Sequence, residues 1–125
     1  MLLHEDLTEK IIQCFYKVYN QLGFGFLEKV YENAMLIELK NAGLITAKQV
    51  AIDVYYEEQP VGNYYADLVV EDKIIIELKA GEGVLIEEHE LQLINYLKAT
   101  NIEVGILLHF GKKPIFRRKI FTNPI

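Results

Sequence analysis

The sequence predicts an α/β fold of the α+β type with the element order ααβββαβ, and three observations carry that expectation. Apolar residues recur at helical spacing before residue 43, then alternate between Gln49 and Tyr56 and continue as two strand-like runs up to Ala80. They return to helical spacing ahead of a short, nearly continuous apolar run, VGILLHF, of the kind buried on both faces of a sheet. A length of 125 residues suits one domain over 1–125, long enough to bury roughly two-thirds of the surface that its unfolded chain exposes.

Each element has its own signal. Leu7, Ile11, Ile12, Phe15, Val18, Tyr19 and Leu22 lie on one helical stripe, and Asp6 with Glu9 suits a capping box, so a helix is expected over about 7–21. The stretch LGFGF breaks it, because Gly23 and Gly25 permit backbone angles that other residues resist. A second helix is expected from about Phe26 to Ala42, ended by Gly43. Val50, Ile52, Val54 and Tyr56 alternate as a strand does, and Glu58-Gln59-Pro60 reads as the following turn. Strands over about 62–70 and 74–80 come next. Leu91, Ile94 and Leu97 mark the packing face of a third helix. After VGILLHF, Pro114 precedes a basic segment, FRRKIF, suited to an edge strand.

Composition excludes several functions. The formal net charge of −5 argues against a general nucleic-acid coat. No apolar run approaches the roughly 20 residues of a membrane span, and MLLHEDLTEK carries acidic residues where a signal peptide carries basic ones. A cytoplasmic protein with no membrane partner is the expectation. The single cysteine, Cys14, cannot form an internal disulfide and sits among apolar neighbours as a small core residue.

The run YYADLVVEDKIIIELKA is the informative one, because a buried strand normally excludes Asp67, Glu77 and Lys79. Alternation puts Ile75, Glu77 and Lys79 on one face and Ile74, Ile76 and Leu78 on the other. Whether Asp67 joins the charges depends on the turn. A three-residue loop, Glu71-Asp72-Lys73, pairs Val70 with Ile74 and sets Asp67 opposite Glu77, whereas a two-residue loop turns it away. The longer loop is preferred because it gathers the charges. Two neighbouring carboxylates are reconciled by a shared proton or a divalent cation; their oxygens suit Mg²⁺, with Lys79 able to orient water or to stabilise charge on a phosphoryl group. A partly exposed strand with surface ion pairs is the competing reading.

These residues resemble a known family. Asp67, nine intervening residues and Glu77-Leu78-Lys79 resemble the PD-(D/E)XK nuclease signature. Gly25-Phe26-Leu27-Glu28-Lys29-Val30-Tyr31 is similar to the motif of the GxxExxY proteins, a small-domain branch of that superfamily. The resemblance covers nearly the whole chain. It implies a restriction-endonuclease-like core, a mixed sheet of four to five strands flanked by helices. It also implies Asp67 and Glu77 as metal ligands for Mg²⁺ or alternatively Mn²⁺, Lys79 as the catalytic lysine, Glu28 as a further acidic member, and Gly25, Glu28 and Tyr31 as the motif. Gln92 and Tyr96 match a Q-x3-Y element on the helix after the lysine strand. Ala66 stands in the place of the proline in the superfamily name, Tyr19 in that of an expected histidine and Tyr65 in that of an expected arginine.

Simpler roles compete at several positions. Glu28 in a first helical turn is favoured by the helix dipole alone. Tyr31 suits a packing residue whose hydroxyl finds a partner. His89, Gln92 and Tyr96 form a polar stripe that either borders a cleft or faces solvent; His109 suits a satisfied core or edge histidine. Lys112, Lys113, Arg117, Arg118 and Lys119 offer a phosphate-tracking patch, or a charged edge that discourages strand pairing. The leading expectation is a divalent-metal-dependent nuclease on DNA or RNA, with Gln92, Tyr96, Arg117, Arg118 and Lys119 as substrate contacts. The alternative is a non-catalytic module of the same fold that binds nucleic acid or protein. A protein partner or a second copy is compatible with either.

Overall fold

The computed structural model of the protein describes residues 3–122. Helix α1 (Glu5–Leu22) starts earlier than the apolar stripe does. Its N-cap is His4, with φ 55° and no side-chain cap bond, so Asp6 and Glu9 form no capping box. Glu5 and Asp6 instead occupy the first turn, where carboxylates oppose the positive end of the helix dipole. Ile11, Cys14, Phe15 and Val18 are buried from this helix. Helix α2 (Glu28–Asn41) begins at Glu28, two residues later than expected. It ends in a Schellman motif: Gly43, at φ 81°, donates its N–H to Lys40, and buried Leu44 donates to Leu39.

Strands β1 (Thr46–Tyr56) and β2 (Gln59–Val70) form a long hairpin. Its turn is Glu57-Glu58, not Glu58-Gln59-Pro60, because both glutamates take positive φ and Tyr56 pairs with Gln59. Strand β3 (Ile74–Ala80) follows through the three-residue loop, with Val70 opposite Ile74. Helix α3 (Ile86–Lys98) crosses over to β4 (Val104–Phe110), which is parallel to β3, and β5 (Pro114–Ile120) closes the edge antiparallel to β4. The five-stranded mixed sheet has the order β1-β2-β3-β4-β5. Among the described residues, no helix is long and apolar enough to cross a membrane.

Both faces of the sheet are covered, which is why IIIELKA and VGILLHF are almost wholly apolar. Ile74, Ile76, Leu78, Ile106 and Leu108 pack under α1 and α2. Ile75 and Leu107 pack under α3. The packing face of α3 is rotated from the expected one: Leu93, Tyr96 and Leu97 are buried, while Leu91 is exposed and Ile94 half-buried. Gly105 explains the rotation, because a Cβ there would lie 2.7 Å from Leu93 Cδ1 and 2.9 Å from Leu93 Cγ. The helix settles on the strand at a point that has no side chain.

Gly105→Ala should therefore destabilise the protein by about 1–3 kcal/mol, since Leu93 is fully buried and has no room to yield. Chemical denaturation measures this. In combination with Leu93→Ala the total loss should be smaller than the sum of the single losses, and strict additivity would show that Leu93 is not the obstacle.

Candidate active site

Strand β2 pairs with β1 along its whole length but with β3 only from Leu68 to Val70. Beyond Leu68–Ile76 the two strands separate, and the carboxylates of Asp67 and Glu77 take up the amides at the fork. The Asp67 amide donates to Glu77 Oε1 at 3.1 Å. The Leu78 amide donates to Asp67 Oδ2 at 2.8 Å. Each acid thus replaces a backbone carbonyl of the ladder, and each is held by the other's strand. Glu77 is only 5% exposed and Asp67 half-buried.

On the other side of Asp67 the pairing passes from Lys48–Leu68 to Val50–Ala66. Gln49 lies between, at φ 50°, a conformation costly for a residue with a side chain. Its Nε2 donates to Asp67 Oδ1 at 3.3 Å and to Glu32 Oε1 at 2.5 Å. Glu32 is buried; its second oxygen has no well-directed hydrogen bond but lies 3.1 Å from Lys29 Nζ, so the charge is paired. Neither Gln49 nor Glu32 is among the site residues expected from the sequence. Glu32 follows Glu28 by one helical turn and was legible in that spacing; no local signal announces the left-handed backbone at Gln49.

Glu28 opens α2 and lines the same small cleft as Glu32, Gln49 and Asp67. Tyr31 positions that helix end. It is fully buried, stacks on Phe110 with centroids 4.2 Å apart, donates its hydroxyl to Gly23 O at 2.6 Å and accepts the Phe26 amide at 3.2 Å. The packing role expected for Tyr31 is the one it has. Gly25, at φ 116°, allows the loop its turn between those two bonds. Tyr19, the departure from histidine, reaches the carbonyl oxygens of Gly111 and Lys112 at 2.7 and 2.8 Å.

The acids are under electrostatic pressure. Burial, then the charge of Asp67, pushes the Glu77 carboxyl up to about 8, against the opposing effects of the Asp67 amide and Lys79. Burial also raises the Asp67 carboxyl, despite its hydrogen bonds from Leu78 and Gln49. Glu28 is raised by burial and by Asp67 and Glu32, while the Lys79 ammonium lowers it. Lys79 is half-buried and acts on all three carboxyls, yet forms no contact ion pair among the described residues. Hard carboxylate oxygens with excess negative charge suit a divalent cation that keeps part of its water shell. No group of three or more candidate ligating side chains is drawn together among the described residues, so such an ion would rely on few protein ligands.

Gln92, Tyr96 and His89 border not the acidic cleft but a second one, together with Tyr64, Tyr55 and Asp53 of the hairpin. Tyr96 links this cleft to the fork: burial and the charges of Glu77 and Asp67 push its phenol up to about 12. The basic residues are dispersed. Alternation sends Arg118 to the opposite face of β5 from Arg117 and Lys119. Lys119 pairs with Glu90 of α3, Arg118 donates to Leu3 O, and Lys112 pairs with Glu82. Strand β5 also lies two places from β3 in the sheet, so the structure does not gather Arg117, Arg118 and Lys119 at the fork. His109, next to last in the interior strand β4, has Nε2 2.9 Å from Gly81 O, while its buried Nδ1 has no hydrogen-bond partner among the described residues, so it is neither at a sheet edge nor fully satisfied as expected. Cys14 is a buried core thiol.

The raised carboxyls set the sign of a pH effect. Glu77 binds its proton more tightly folded, at about 8, than at its ordinary 4.5. Between those values unfolding releases a proton, so metal-free stability should fall as pH rises from about 4.5 to about 8, by a few kcal/mol at most. Glu77→Gln keeps the acceptor for the Asp67 amide and should flatten most of that fall in a melting-temperature series. A wild-type stability that rises across this window would contradict the assignment.

Comparison with known proteins agrees with this architecture. The family described as the PD-(D/E)XK nuclease superfamily matches residues 5–120. No curated protein matches the chain. The fold is similar to the crystal structure of SSO0001, with a TM-score of 0.60 and 19% sequence identity, over 97% of this chain and 61% of that one. At that identity the likeness speaks for the fold alone, and the chain spans about 61% of the length of that neighbour. The match over residues 5–120, on a fold whose strands part at an Asp and a Glu with a lysine two residues on, shows that the chain belongs to the PD-(D/E)XK nuclease superfamily.

Proposed function

We propose that the protein is a divalent-metal-dependent nuclease of the GxxExxY branch, hydrolysing phosphodiester bonds in nucleic acid. The observation that carries this reading is the fork, where Asp67 and Glu77 are interlocked with raised proton affinity beside Lys79. Raised proton affinity at neighbouring carboxyls is the mark of a site waiting for positive charge. Asp67 and Glu77 would hold Mg²⁺ or Mn²⁺, with Glu28 at the mouth as a further acidic group. When bound, the ion supplies Lewis-acid stabilisation of phosphoryl charge and acidifies a water.

The chain's own residues supply the rest. Gln49 fixes the rotamer of Asp67 by tying it to buried Glu32. Lys79 shares the Glu77 face and brings an ammonium to where a pentavalent phosphate gains charge. Glu28, raised but accessible, suits a group that takes a proton from the attacking water. Of the basic residues on β5, Arg117 is the exposed one without a carboxylate partner among the described residues, and it is the phosphate contact most consistent with this reading. A soluble, intracellular setting fits a nucleic-acid substrate.

Cleavage of single- and double-stranded DNA and RNA, with Mg²⁺, with Mn²⁺ and with a chelator, tests the proposal. Lys79→Ala should keep divalent-ion affinity and lose on the order of a hundredfold or more in rate, because its charge acts mainly in the transition state. Asp67→Asn should lose ion binding and cleavage together. Absence of metal-dependent cleavage of every substrate by the wild-type protein would leave the fold without the activity and favour a binding module.

A further inference from the structure

The cleft between α3 and the β1–β2 hairpin has a volume of about 760 Å³ and is separate from the small acidic cleft at Glu28 and Asp67. It exists because β2 outruns β3: the hairpin beyond Ala66 has no third strand, and α3 passes over the gap. Its walls are aromatic. Tyr64 packs on the buried ring of Tyr96 with centroids 5.6 Å apart and planes tilted by 47°, and Tyr55 also lines the cleft. Tyr55 and Tyr64 are 62% and 45% exposed, so ring surface that packing would normally hide is open to a ligand. The polar lining is made of hydrogen-bonding edges: Gln92, Asn95 and the Asp53 carboxylate, which Asn63 holds at 2.7 Å.

We propose that this cleft receives one unpaired nucleobase of a single-stranded nucleic acid, stacked on the exposed ring of Tyr64, with a neighbouring phosphate at the Asp67–Glu77 fork. The phosphate placement rests on the nuclease reading; the base pocket rests on the cleft. Tyr64 stands three positions before Asp67 on β2, roughly 10 Å along the strand at the usual rise, the reach of a nucleotide from its phosphate to its base. Tyr96, buried behind Tyr64 at the wall of the cleft, lies within electrostatic reach of Glu77 and Asp67, so the two places are close. A neutral base brings a π-face and an edge of donors and acceptors to this lining. A duplex hides both, and its phosphates meet Asp53 and Glu88 at the rim with Lys98 as the opposing charge. With Lys112 and Lys119 engaged by Glu82 and Glu90, stacking adds the grip that paired cations do not supply.

Fluorescence anisotropy with the whole chain, in Ca²⁺ and in chelator, tests this with labelled oligothymidylate, oligouridylate, an abasic strand of equal length and a duplex. The base-bearing single strands should bind at least about tenfold tighter than the abasic strand and the duplex. Tyr64→Ala should remove most of that difference and Tyr64→Phe should retain it. Equal affinity of wild-type protein for base-bearing and abasic strands, or no binding of single strands, overturns the pocket, and neither comparison depends on a variant folding. Mg²⁺-dependent cleavage of the same thymidylate strand is scored separately. Cleavage without base discrimination leaves the nuclease and removes the pocket, whereas base-dependent binding without cleavage does the reverse.

Discussion

The exchange of amides between Asp67 and Glu77 is the constraint on which the rest of the structure depends. A strand pair that separates inside a protein leaves backbone N–H groups without partners, and each unsatisfied group costs on the order of 1–3 kcal/mol. Here the carboxylates of the separating residues fill those places, and charge-assisted hydrogen bonds of this kind are about twice as strong as neutral ones. The bonds also fix both side chains. A carboxylate that must serve an amide on the opposite strand has little rotamer freedom, so the two acids remain neighbours although their charges repel. Burial, joined at Glu77 by the charge of Asp67, raises the proton affinity of both acids.

What surrounds the fork either opens it or holds it. The hairpin opens it, because β2 continues beyond the reach of β3 and carries Tyr64 and Tyr65 outward. Helix α2 holds it, and the helix is itself anchored by Tyr31, whose ring lies on Phe110 at the end of β4 and whose hydroxyl ties the Gly23–Phe26 loop. Removing that hydroxyl would leave a buried carbonyl and an amide short of a partner at the helix entry, so the effect would reach Glu28 through the loop. In this arrangement Tyr31 holds the loop and helix end from which Glu28 projects.

Much of this was legible in the sequence, and the misses have physical causes. Strand periodicity is a property of the local chain, but it left the turn open, and the three-residue loop at Glu71-Asp72-Lys73 was preferred because it gathers the charges; the observed register, Val70 opposite Ile74, is the one that loop requires. The capping box at Asp6 failed because the helix extends one residue past it to Glu5. The face of α3 was misjudged because Leu91 and Leu93 are equally apolar, and the choice between them is made by Gly105 on a strand that comes later in the chain. Glu77 is more deeply buried than a shared solvent site implies, a consequence of α3 lying over it. Gln49 was illegible for a different reason: a strained backbone angle in a strand is set by tertiary bonds to Glu32 and Asp67, not by residue type.

The distribution of charge bears on how such a site could work within an acidic protein. Long-range attraction of a polyanion needs surplus cations, and here several cations are already committed: Lys29 to Glu32, Lys112 to Glu82 and Lys119 to Glu90. Steering by the field of the whole chain is correspondingly weak. The fork, however, concentrates negative potential in a low-dielectric pocket, where a small divalent cation gains far more than it would at the surface. Occupation by such an ion would reverse the local sign of the field and relieve the strain between Asp67 and Glu77 in the same step. On the proposed reading, affinity for the ion and affinity for a phosphate are therefore coupled through one pair of carboxylates: each makes the other possible, and neither requires a basic surface.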